Sequence, residues 1–169
     1  MRFRVGIFME SNTRLKLKDA ATQLQLAVAH IADEATFRSC INAFIDSGRS
    51  VTFVMQTESS GNQWLQAWYE KEMDRLKKTP LFRFFNEQRI QTVHRASIKP
   101  RQLSSPIREL AVGGKALPGI GEMSVWIFDD IEQWMPGSSG NVIRLCETYW
   151  QQLADLTARW ERQRLAGSI

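Results

Sequence analysis

Between residues 13 and 31 the apolar side chains Leu17, Ala20, Leu24, Ala27, Val28 and Ile31 recur at three- and four-residue steps. That spacing places them on one face of an α-helix. A second stripe follows from about Asp33, with Phe37, Ile41, Phe44, Gly48, Val51 and Met55. Asp33 and Glu34 suit the positive end of that helix. Gly48 in its middle weakens it relative to alanine, so the pattern predicts a close crossing with another helix there. Ser59-Ser60-Gly61-Asn62 is strong turn chemistry. A third helix, roughly 62–78, carries Trp64, Leu65, Trp68, Tyr69, Met73 and Leu76 on its apolar side. Thr79-Pro80 then reads as a helix start, with Thr as cap and Pro in the first helical position. The fourth helix runs through Leu81, Phe84, Phe85 and Gln88 toward Val93, and Pro100 forbids a long continuation. A last helix, about 141–164, has Val142, Cys146, Tyr149, Trp150, Leu153, Leu156 and Trp160 on one face.

Two stretches break this period. Residues 1–9 alternate, with Phe3, Val5 and Ile7 opposite Arg2 and Arg4, which predicts a short strand. Residues 97–122 hold Pro100, Pro106 and Pro118 with four glycines and read as a loop or tight excursion. The run MSVWIFDD (123–130) is short enough for a strand that pairs with the N-terminal one, and PGSSGN (136–141) is a turn. The expected fold is all-α: an up-and-down bundle of about five helices in a single domain, residues 1–169. A small loop or strand insertion precedes the last helix. No repeat or low-complexity tract interrupts the chain.

Composition narrows the class. A 43% hydrophobic fraction with 24% charged residues is that of a globular protein and excludes a disordered or fibrous one. Nine Phe and six Trp against two Tyr supply core anchors, with aromatic surface to spare for an interface. Cys40 and Cys146 lie inside helical stripes without CxxC spacing, as small buried side chains of a reducing cytoplasm. No apolar run approaches membrane-spanning length, so no membrane association and a cytoplasmic location are expected. The net charge of +4 permits an anionic partner. Basic residues gather at Arg75, Lys77, Lys78 and Arg83, and again at Arg89, Arg95, Lys99 and Arg101, as either a solvated face or a nucleic-acid surface.

Candidate chemistry centres on FFNEQRIQTVHR (84–95), where Arg89 precedes His94, one of two histidines. Five positions turn an ideal helix through about 140°, so the two do not stack on one face. A long arginine near a helix end can curl toward a histidine one turn on, or a second copy can supply half of a site. Such a pair suits phosphodiester cleavage of RNA. Histidine moves protons at neutral pH, and a guanidinium holds the phosphate and offsets developing charge.

The segment RIQTVH, with TPLFRFFNEQ before it, resembles the Arg-x4–6-His motif of the HEPN superfamily. The pair ATFRSCINAFIDSGRSVTFVMQ and WLQAWYEKEMDRLKKTPLFRFF is similar to bacterial and plasmid members, so the resemblance covers roughly residues 13–100. It implies a four- to five-helix bundle and a homodimer whose motifs meet in a cleft. It implies metal-independent ribonuclease activity in toxin–antitoxin or antiphage defence, beside an antitoxin or nucleotidyltransferase-like partner. Arg89 and His94 are then the catalytic candidates, with Arg83, Arg95 and Lys99 binding RNA. Many active members carry a polar residue directly after the arginine, where this chain has Ile90. Two alternatives stand beside the enzyme. One is an inactive HEPN-type dimer that binds RNA, a nucleotide or a protein; the other is a helical structural or regulatory protein.

The remaining motifs read more plainly. His30, among Ala29, Ile31 and Ala32, is a capping or surface residue without a second ligand in metal spacing. No metal or cofactor is expected. Glu58, Asp129 and Asp130 are not brought together by any pattern. GGKALPGIG (113–121) lacks the order of a phosphate-binding loop and reads as flexible.

Overall fold

The computed structural model describes residues 10–94, 98, 100–106, 109–112, 115–118 and 122–166. Five helices dominate it: α1 (Asn12–Ala29), α2 (Glu34–Ser59), α3 (Gln63–Leu76), α4 (Pro80–His94) and α5 (Val142–Ala166). The all-α bundle with a small strand insertion before its last helix is the architecture the stripes predict. Local chemistry starts most of the helices. Ser11, Asp33, Asn62 and Asn141 each accept from a backbone N–H three residues on, in α1, α2, α3 and α5. Thr79 behaves differently from its expected capping role. Its hydroxyl donates back to the Leu76 carbonyl at 2.8 Å, which closes α3 instead of opening α4.

The stripes meet in one core. Gly48 is the close crossing expected of it: a Cβ there would lie 2.9 Å from the Tyr149 ring of α5. Tyr149 stacks on Phe85 of α4, with ring centroids 4.3 Å apart, and meets Phe44 and Phe82 edge-on. The two helices that face each other across the site, α2 and α4, are therefore seated on the same aromatic cluster with α5. Two tryptophans fasten helix ends. Trp160 donates to the Ser59 hydroxyl at 3.0 Å, and Trp150 donates to the Leu17 carbonyl at 3.2 Å. Cys40 and Cys146 are buried free thiols. Val28, Ile31 and Trp64, expected on apolar faces, are instead exposed, with Trp64 at 49%. The apolar face of α1 ends at Ala27, and residue 28 is already about 100° further round.

The stretch read as a loop or tight excursion holds two antiparallel strand pairs, a ribbon that makes up the small insertion expected before the last helix. Strand β1 (Arg101–Pro106) pairs with β4 (Glu122–Ile127), and β2 (Glu109–Val112) pairs with β3 (Lys115–Pro118). Thus β4 has β1 as a partner; the pairing expected with residues 1–9 falls on residues outside those described. Two residues on one side and three on the other separate the two ladders, so the register shifts by one between them. The ribbon is anchored at its base. Trp126 stacks on Phe37 of α2 at 4.7 Å and donates to the Ile31 carbonyl. Gly140, at φ +69, lies 3.1 Å by its would-be Cβ from the Phe128 carbonyl, a fit and a backbone that suit glycine alone.

The start of α1 is tied to α5 by charge. Glu161 accepts from the Arg14 guanidinium, which makes a close ion pair with it, and from the Ser11 hydroxyl. The hydrogen bond from Arg14 holds the Glu161 carboxyl below its usual range. A carboxyl depressed on folding stabilises the protein above the unfolded carboxylate pKa, about 4.3, and loses that contribution as pH falls below it. Partial exposure and salt screening keep the effect small, about 1 kcal/mol at most. Glu161→Gln should flatten the acid limb of a Tm-against-pH curve relative to wild type. Parallel curves below pH 5 would show that this pair contributes nothing.

Candidate functional site

One face of α2 presents Asp46, Arg49, Ser50 and Phe53 at helical spacing, and the facing side of α4 presents Asn86, Arg89 and Ile90. Together they line a groove of about 510 Å³ between the two helices. The helices are held apart at this level by Phe44 and Phe85, which touch edge-on beneath it at 6.2 Å. Arg89 pairs with Asp46 at 3.4 Å, both side chains partly exposed. Arg49 is steadied by its own turn, where it donates to the Thr52 hydroxyl at 2.7 Å. Two large apolar side chains border the polar centre and face solvent: Phe53, 61% exposed, and Ile90, 42% exposed.

Arg49 and Asn86 also line a neighbouring, more enclosed concavity of about 230 Å³ with Arg83 and Lys77. Thus a row of basic side chains, Lys77, Arg83, Arg49 and Arg89, runs from the C-cap of α3 across α4 and α2. Convergent guanidinium groups over such a cleft concentrate positive potential and attract phosphate. Arg83 further lies over the Trp134 ring at 5.5 Å, which fixes its direction.

Of the residues singled out from sequence, Arg89 and Arg83 thus stand on adjoining parts of one cleft. His94 is the last residue of α4. Its side chain, and all of Arg95 and Lys99, lie outside the described residues. Arg49, Asn86 and Asp46 escaped the sequence reading. Their signal was available, since Asp46, Arg49 and Phe53 form a polar-edged stripe beside the apolar one of α2, but only a contact with α4 makes that stripe concave. His30 caps the end of α1 and is exposed. The three acidic residues form no shared site, and each holds a different partner. Glu58 accepts from Thr13 at the start of α1, Asp129 from Arg101, and Asp130 from the buried Gln88 of α4 at 2.6 Å. Among the described residues no cluster of His, Cys, Asp and Glu has the composition of a metal site. Among the described residues no helix is long and apolar enough to cross a membrane.

The family model described as bacteriophage lambda protein ea47 matches residues 11–99, the segment from the cap of α1 through α4 that carries the groove. No curated protein and no solved structure matches the chain.

Proposed function

The chain belongs to the family of bacteriophage lambda protein ea47, and we propose that it acts on RNA as a metal-independent endoribonuclease of HEPN type. The observation that carries this reading is the position of Arg89, set in a groove between α2 and α4 with Arg49 beside it. In the proposed reaction His94 takes the proton of a 2′-hydroxyl or gives one to the leaving 5′-oxygen. Arg89 holds the phosphate as its charge grows. Attack of the 2′-oxygen forms a new O–P bond as the 5′-oxygen bond breaks, and a 2′,3′-cyclic phosphate and a 5′-hydroxyl result. Asp46 keeps the Arg89 guanidinium oriented between substrates. The setting proposed is the cytoplasm, in defence or toxin–antitoxin function, with an antitoxin or nucleotidyltransferase-like protein as control. Cleavage of total RNA tests it. Arg89→Lys should cleave far more slowly, because a point ammonium cannot reproduce the fork of donors, and EDTA should leave the wild type unchanged. Cleavage that survives Arg89→Lys in full would remove Arg89 from the mechanism.

The proposed active form is a homodimer closed over this groove. Phe53 and Ile90 support it, since two large apolar side chains left exposed at the groove are surface that a second copy would cover. Phe53→Glu should give a folded monomer by light scattering at tens of micromolar and should reduce cleavage with it. An unchanged mass would place the interface elsewhere.

Ile90 favours a second reading, in which the dimer binds RNA without cutting it. An exposed apolar side chain stands directly after Arg89, where the resemblance leads one to expect a polar group.

A further inference from the structure

The smaller concavity beside the Arg89 groove has the chemistry of a separate anion site. Arg49, Lys77, Arg83 and Asn86 surround it, over a floor that includes the buried rings of Phe82 and Tyr149. No carboxylate lines it. Among the described residues Arg14, Arg38, Arg75, Arg89, Arg101 and Arg159 each have an acidic partner within ion-pair distance. The partners of the pocket arginines are neutral: the Thr52 hydroxyl for Arg49 and the Trp134 ring for Arg83. Three cations thus face one volume of about 230 Å³ with no acidic side chain on its walls to offset their repulsion.

The charge and shape select the ligand. A phosphodiester strand presents one negative charge per nucleotide in a row, which suits the longer groove. A terminal phosphate carries about −1.5 to −2 charges at a single point, which suits three cations converging on one small cavity. Burial pushes the Tyr149 phenol well above its usual range, so it stays protonated and remains a donor.

We infer that this pocket binds a phosphomonoester of a nucleotide, either free or at the end of an RNA strand, with Lys77, Arg83 and Arg49 as its charge. Arg49 and Asn86 line both concavities, so a terminal phosphate held here sits next to the strand that the groove would hold. This goes beyond the cleavage reading and needs no participation of His94.

Binding measurements on the full chain test it, with 2′-O-methyl oligoribonucleotides that cannot be cleaved. Fluorescence anisotropy compares strands carrying a 5′-phosphate, a 3′-phosphate or hydroxyls at both ends. Calorimetry compares AMP with adenosine. At least one phosphorylated form should bind about tenfold or more tightly than its hydroxyl twin, the size expected of charge-assisted contacts. Lys77→Ala and Arg83→Ala, both at exposed side chains, should erase that preference while the melting temperature holds. AMP binding without adenosine binding assigns a free nucleotide; end dependence without AMP binding assigns the strand terminus. Equal binding of phosphorylated and hydroxyl strands, together with no AMP binding, would overturn the inference. So would a preference that survives the Lys77→Ala, Arg83→Ala double variant. An end preference in a protein that never cleaves RNA would leave this site standing and remove only the ribonuclease.

Discussion

His94→Ala should lower RNA cleavage by about 10²–10⁴-fold, the range that a positioned general acid or base contributes. Two features make this the sharpest test of the proposed chemistry. Histidine is the side chain whose ordinary pKa lets it both take and give a proton near neutral pH. And His94 closes α4, five residues beyond the arginine that would hold the phosphate, with a helical rise of about 7.5 Å between them. The melting temperature should hold, because a residue at a helix end contributes little to the core. RNA affinity at matched salt should hold as well, since Arg49, Arg83 and Arg89 would supply the phosphate contacts. A fall in rate with unchanged affinity assigns proton transfer. Equal cleavage by wild type and variant would identify a contaminant or another site, and absence of cleavage in both would favour the binding-only dimer that Ile90 suggests.

Trp160→Ala should cost about 3–5 kcal/mol, the largest stability change expected of a single substitution here. Trp160 is fully buried on α5, and its indole N–H reaches the Ser59 hydroxyl at the end of α2. Truncation leaves a cavity between two long helices and takes from Ser59 its tryptophan donor. Trp160→Phe should cost much less, since a ring refills most of the space and one hydrogen bond is lost, about 1 kcal/mol. Urea unfolding would measure both, with Trp64→Ala as the comparison, because Trp64 is half exposed. If Trp64→Ala destabilised the protein as much as Trp160→Ala, the burial pattern described for α3 and α5 would be wrong.

That comparison separates what was legible along the chain from what was not. The apolar stripes of α2 and α5 run at helical spacing, and Phe37, Ile41, Phe44, Val51, Met55, Val142, Cys146, Tyr149, Leu153, Leu156 and Trp160 are all buried, with Trp150 alone of the α5 stripe only partly so. Caps such as Asp33 and Asn141 act within four residues, so their effect is readable locally. The same period set both Trp64 and Trp160 on apolar faces, yet only packing decides which face finds a neighbour.

The ribbon fails the local test for a related reason. Its pairs join residues up to 26 positions apart, from Arg101 to Ile127, and Pro106 and Pro118 at strand ends look like loop punctuation. One signal was present: Gly113-Gly114 between Val112 and Lys115 has the composition of a two-residue hairpin loop.

For the site, the sequence by itself determined the helical bundle, Arg89 and His94 on its fourth helix, and Arg83 on the same helix, six residues before Arg89. The tertiary structure alone decided the cleft. Arg49 and Asn86 lie 37 residues apart in the chain and become neighbours only because Gly48 lets α5 press close beneath α2 while Tyr149 stacks on Phe85 of α4. Hydrophobic period is a property of one helix and survives in its sequence. Concavity and charge convergence belong to pairs of helices, and they exist only once the core has fixed how those helices meet.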